Sequence, residues 1–204
     1  MNPLKSISGT IIAGVVLAVV IVLATQGNHM VAGMKAQAVI IWLHVLAGIT
    51  WIGLLYYFNF VQVPALGEAA SDNDGPGPAA ISKYIAPRAL NWFRWGALVT
   101  WITGATFLLH KGQLANAFML GLNSDPINQY ALTIGVGAWL GTIMLFNVWV
   151  LIWPNQKKVL GMVEASADEI AKAKNTAFLA SRSNTLMSIP MVMSMVGAGH
   201  GWFM

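Results

Sequence analysis

QAVIIWLHVLAGITWIGLLYYFNFVQV, residues 37–63, runs for 27 positions without a Lys, Arg, Asp or Glu. As a helix it rises about 40 Å at 1.5 Å per residue, more than the roughly 30 Å of a bilayer's hydrocarbon core. A soluble domain has no use for so long an uncharged segment, so this stretch predicts a membrane-spanning helix. The rest of the chain agrees. Charged residues make up 9% of the 204 positions, against about a quarter in soluble domains. The mean hydropathy is +0.65.

Apolar runs predict four further spans, at about 7–25, 92–110, 127–153 and 183–203. The first follows Lys5 and is longer than the apolar core of a secretory signal, so it reads as a span. Residues 67–80, GEAASDNDGPGPAA, read as a solvated loop. VEASADEIAKAKNTAFLASR, residues 163–182, reads as a surface helix leading into the last span. The expected fold is all-α, a single polytopic bundle of five transmembrane helices over residues 1–204.

Basic residues orient the bundle, because Lys and Arg concentrate in cytoplasmic loops. With the N-terminus inside, Lys5, Lys83, Arg88, Arg94, Lys157, Lys158, Lys172, Lys174 and Arg182 fall inside, and only Lys35 and Lys111 outside. The predicted N-terminus is therefore cytoplasmic and the C-terminus external, in a multi-pass protein of a bacterial inner membrane. The net charge of +4 serves this bias, and no basic run with interleaved aromatics supports nucleic-acid binding. The absence of cysteine excludes thiolate-held clusters, thiolate zinc and a Cys-x-x-Cys-His haem attachment within this chain.

On that topology all four histidines, His29, His44, His110 and His200, gather at the outer side. His44 lies within span two, roughly 10 Å below its outer edge. Ionisable groups at such depth are costly and usually functional. Gly48 and Trp51 follow at i+4 and i+7 on the same helical face, and the glycine leaves room for a flat macrocycle. His110 closes span three, and His200 sits in GAGHGWF, residues 197–203. Neutral imidazoles from two helices can hold a b-type haem without cysteine. The site expected is haem b with His44 as one axial ligand and His110 or His200 as the other. Copper at these histidines is the alternative, ranked lower because the 11 methionines follow ordinary packing spacings.

The inner side carries a polar belt: Tyr56, Tyr57, Asn59 and Gln62, then Arg88, Asn91 and Arg94, then Asn147, Arg182 and Asn184. Arg88, Arg94, Asn147 and Asn184 are candidate ligands for a planar polar molecule such as a purine or a quinone head. The competing reading is helix-to-helix glue and interfacial anchoring. GVGAWLG, residues 135–141, reads as a small-residue helix contact through Gly137 and Gly141.

Four stretches together, WLHVLAGITWIGLLYYFNF, YIAPRALNWFRWGALVTWITG, LFNVWVLIWPNQKK and ASRSNTLMSIPM, resemble the membrane domain of bacterial urate hydroxylase, the urate oxidase N-terminal domain family. That resemblance implies a membrane oxidoreductase converting urate to 5-hydroxyisourate, with electrons leaving through a cytochrome c domain. Here the expectation is a short stand-alone form without that domain. The function expected is a haem-b electron-transfer subunit of a larger membrane redox complex, paired with other membrane subunits and a periplasmic cytochrome c. The alternatives are a urate hydroxylase-like enzyme using a separate cytochrome c, and a scaffold subunit with no cofactor.

Overall fold

The computed structural model describes residues 2–26 and 36–201, and they are all-helical wherever they are regular. His29 and Lys35 fall outside the described residues. The chain divides into two compact units, residues 1–39 and 40–204.

In the first unit, Asn2 caps a short 3-10 turn, Pro3–Lys5, by accepting from Leu4 N. Helix α1, Ile7–Gln26, follows. Its apolar residues occupy every face, the pattern of a helix surrounded by lipid rather than one with a single buried stripe.

Helix α2 spans Ala36–Tyr57. It does not stop at the end of the expected span: a π-helical turn, Phe58–Gln62, leads directly into α3, Val63–Ser71. The loop expected from residue 67 therefore begins only at Asp72. Val63, Ala65, Ala69 and Ala70 continue the helix, and Pro64 sits where a helix tolerates proline, in its first turn.

A second π-helical turn, Ile81–Ile85, leads into α4, Ala86–His110. Helix α5 is a single short segment, Leu114–Phe118. Helix α6, Gln129–Phe146, starts at Asn128, whose side chain accepts from Ala131 N at 3.0 Å. It passes through a third π-helical stretch, Asn147–Ile152, into α7, Trp153–Val159. Helix α8, Ala167–His200, has a capping box: Ser166 and Glu169 satisfy each other's backbone N–H groups. It ends at Gly201, whose φ of +73° is the left-handed conformation that glycine adopts without strain.

Among the described residues, three helical stretches are long and apolar enough to cross a membrane: Ile7–Thr25, Ala36–Ser71 and Gln129–Val159. Expected span three, 92–110, lies inside α4, and expected span five, 183–203, lies in α8 as far as His200, its last two residues falling outside the described ones. Both helices have the length, but Thr, Trp, His and Arg in α4 and Asn, Ser and Thr in α8 lower their hydropathy.

The core of the second unit joins Trp51 and Leu55 of α2, Phe93 and Ala97 of α4, Met144 of α6, Val148 and Ala180. A smaller cluster brings Leu108 of α4, Ala117 of α5, Ile134 of α6 and Ala198 of α8 together. The two glycines of GVGAWLG that matter are not the pair expected. Gly137 backs onto α8, where a Cβ would stand 3.0 Å from Met195 Cε. Gly135 lets α6 approach the Ala117 carbonyl of α5, whereas a Cβ at Gly141 would meet nothing.

Candidate functional site

The contact between α2 and α4 is built from small residues. Gly96, Thr100 and Gly104 recur at i, i+4 and i+8 and so form one stripe along α4. A Cβ at Gly96 would lie 3.4 Å from Trp51 N and 3.5 Å from the Ala47 carbonyl, so the two backbones cross closely there. Gly48 faces the same stripe, with the Thr100 methyl 3.8 Å from the position of a Cβ. The opening expected above Gly48 is thus taken by α4. Trp51, 2% exposed, belongs to the core of this crossing, and its indole Nε1 is buried without a hydrogen-bond partner.

His44 stands at the far end of the stripe. Its Nδ1 lies 2.8 Å from the backbone carbonyl of Thr100. A carbonyl only accepts, so Nδ1 carries the proton and the lone pair belongs to Nε2. Nε2 has no hydrogen-bond partner among the described residues. Thr103 Oγ1 is 3.5 Å from Nδ1, but its own hydroxyl donates to the Val99 carbonyl at 2.6 Å. The ring rests on Gly104: a Cβ there would come within 2.8 Å of His44 Cε1 and 3.0 Å of Nδ1. The imidazole is thus fixed in one tautomer and one orientation by α4, with one nitrogen left to bind.

His110 and His200 occupy the same end of the second unit, since each lies two residues beyond a member of the Leu108–Ala198 cluster. Both are exposed. His200 shares only the tautomer of His44: its Nδ1 lies 2.9 Å from the Val196 carbonyl one turn back on its own helix, which leaves Nε2 as the acceptor. His110 lies six residues past Gly104, roughly 9 Å further along α4. Among the described residues no group of three or more His, Cys, Asp or Glu is arranged to hold a metal ion. A pair of imidazoles on a haem iron needs no such group.

The polar belt of the other end is mostly occupied with itself. Ser181, Asn184 and Ser188 form a stripe on α8. Asn184, fully buried, accepts from Asn147 Nδ2 at 2.8 Å and donates to the Met144 carbonyl at 3.0 Å. Asn59 donates to Ser181 Oγ at 2.8 Å and to the Leu55 carbonyl at 2.9 Å. Tyr56 and Ser188 are 3.0 Å apart, and because Ser188 donates to the Thr185 carbonyl, Tyr56 is the donor. Arg94 lies over Trp153, its guanidinium carbon 3.8 Å from the ring centre, and donates to Asn91 Oδ1. Two acceptors remain unpartnered at the π-helical turn, Asn59 Oδ1 and Gln62 Oε1, both buried. Arg88 is exposed and donates to the Tyr84 carbonyl.

Sequence reasoning found His44 but missed what holds it. Neither Thr100 nor Gly104 is among the site residues expected from the sequence. The spacing Gly96-x-x-x-Thr100-x-x-x-Gly104 was the available signal, because small residues four apart mark close helix approach.

Residues 118–204 match the model of a family described as Urate oxidase N-terminal. The match takes in LFNVWVLIWPNQKK and ASRSNTLMSIPM, and stops short of the stretches around His44 and Arg88. No curated protein and no solved structure matches the chain.

Proposed function

From the match of residues 118–204 to the urate oxidase N-terminal model, and from the geometry of His44, we propose that the chain is a multi-pass membrane redox subunit holding haem b through His44. The reading includes five spans, with α4 and α8 joining the three more apolar stretches, and the N-terminus on the cytoplasmic side of a bacterial inner membrane. The observation that carries it is the His44 ring itself. Nδ1–H is tied to the Thr100 carbonyl and the ring is seated on Gly104, which leaves Nε2 free. Imidazoles that bind metals almost always donate their second nitrogen in this way, which fixes the tautomer and raises basicity at the ligating atom. His200, with the same tautomer, is the preferred second ligand, and His110 is the other. Bound there, haem would supply one-electron transfer. The chain's own contribution is to orient the ligating nitrogens and to surround the centre with apolar helix. Electrons would pass to a separate periplasmic cytochrome c.

A pyridine haemochrome assay on the purified protein tests this. Wild type should give the b-type spectrum, and His44→Ala should lose it while keeping its helical circular dichroism. A colourless wild type from haem-replete cells would overturn the proposal.

A second reading has its own support in the family match. In it the subunit oxidises urate and hands the electrons to a detached cytochrome c. Membranes bearing the chain should then reduce added cytochrome c when urate is supplied. No urate-dependent reduction above that of control membranes would remove this reading and leave the haem proposal standing.

A further inference from the structure

A cleft of about 510 Å³ opens on the surface between the end of α2 and the start of α4. Its walls are Leu54 and Tyr57 on one side, and Tyr84, Ile85, Ala89 and Trp92 on the other, with Arg88 as its cation. Six apolar or aromatic walls beside one guanidinium match an amphiphile with a hydrocarbon chain and a negatively charged head.

Arg88 is the cation of the cleft. The residue is exposed and spends one N–H on the Tyr84 carbonyl, and the guanidinium has five such donors. No carboxylate faces it, since the single ion pair among the described residues is Lys158 with Glu169. Lys83, five residues earlier, lies over the Tyr84 ring and adds a second cation to the same edge. The cleft also sits where the aromatic residues of a membrane interface belong: Trp92 and Trp95 are 52% and 48% exposed at this end of α4. An uncompensated Arg above an apolar slot between two helices, on the side richest in Lys and Arg, is the chemistry of a phosphate head with its chain in the slot.

We propose that this cleft is a binding site for one anionic phospholipid, its phosphate on Arg88 and an acyl chain along Leu54, Ala89 and Trp92. The site does not depend on haem or urate chemistry.

The test uses the full chain in nanodiscs, with phosphatidylglycerol or phosphatidylcholine carrying brominated acyl chains. Quenching assigned to Trp92, by difference from Trp92→Phe, should be several-fold stronger with the anionic lipid. That preference should weaken in high salt. Arg88→Gln should remove most of it, and Arg88→Lys should retain part. Helical circular dichroism of each variant shows that it is folded, and retained anionic lipid in native mass spectrometry gives a second readout. Equal quenching by both lipids would overturn the proposal, as would an unchanged preference in folded Arg88→Gln. Recovery of an isoprenoid quinone in place of phospholipid would overturn it too.

Discussion

At the residue scale the decisive relation is between His44 and Gly104. An imidazole within a span was legible as a functional candidate because burying it without purpose is costly. Its restraint was not legible, because it comes from a backbone carbonyl and a missing Cβ on another helix. Gly104→Ala places a methyl within 2.8 Å of His44 Cε1, a distance that real side chains do not sustain. The ring or helix α4 has to move. The expected cost is about 1–3 kcal/mol, typical of an overpacked site. Haem content should fall along with the melting temperature. Gly48→Ala, with the Thr100 methyl at an ordinary 3.8 Å, should change neither by much, so the pair of variants measured together separates ring placement from general packing.

At the element scale, helix ends were harder to read than helices. Spans two and four were expected to stop near residues 63 and 153, yet both continue through π-helical turns into α3 and α7. Each turn is followed by proline within the next two residues, Pro64 and Pro154. Proline lacks the N–H of the regular ladder, and the wider turn accommodates that loss without ending the helix. The surface helix expected from residue 163 starts later, at Ala167, and the signal for that start is Ser166 and Glu169 at capping-box spacing. Ser166→Ala should destabilise the first turn by about 1 kcal/mol, seen as faster amide exchange over residues 167–172. The Ser166 backbone N–H, then its hydroxyl, then Lys158 hold the Glu169 carboxyl below its usual range. A depressed carboxyl stabilises the folded form above the unfolded pKa of about 4.5 and loses that contribution as pH falls through the lower folded value. Exchange protection of this turn should therefore be flat from neutrality to about pH 5 and drop below it, and Glu169→Gln should flatten that drop.

At the scale of the whole molecule, composition decided the class and left the packing open. Long uncharged runs were enough to read an all-helical chain with helices long and apolar enough to cross a membrane. The polar belt was visible as a set of residues, but whether Asn147 and Asn184 await a ligand or hold helices together depends on which amide faces which. They face each other, and Asn184 is fully buried. Asn184→Ala should cost about 1–2 kcal/mol in a detergent melt, because it strands the Asn147 donor. Asn147→Ala should add little on top of it, since the shared bond is already lost. The basic-residue asymmetry makes a separate prediction: a reporter fused before Met1 is active only in the cytoplasm, and one fused after Met204 only outside.

Most of the proposed function depends on Nε2 of His44 binding iron. The most direct measurement is the haem-to-protein ratio, from reduced-minus-oxidised absorbance, in wild type, in His44→Gly, and in His44→Gly purified with added imidazole. About one haem per chain is expected in wild type, almost none in His44→Gly, and substantial recovery when free imidazole fills the vacated position. Equal haem content in wild type and His44→Gly, or none in either, would contradict it.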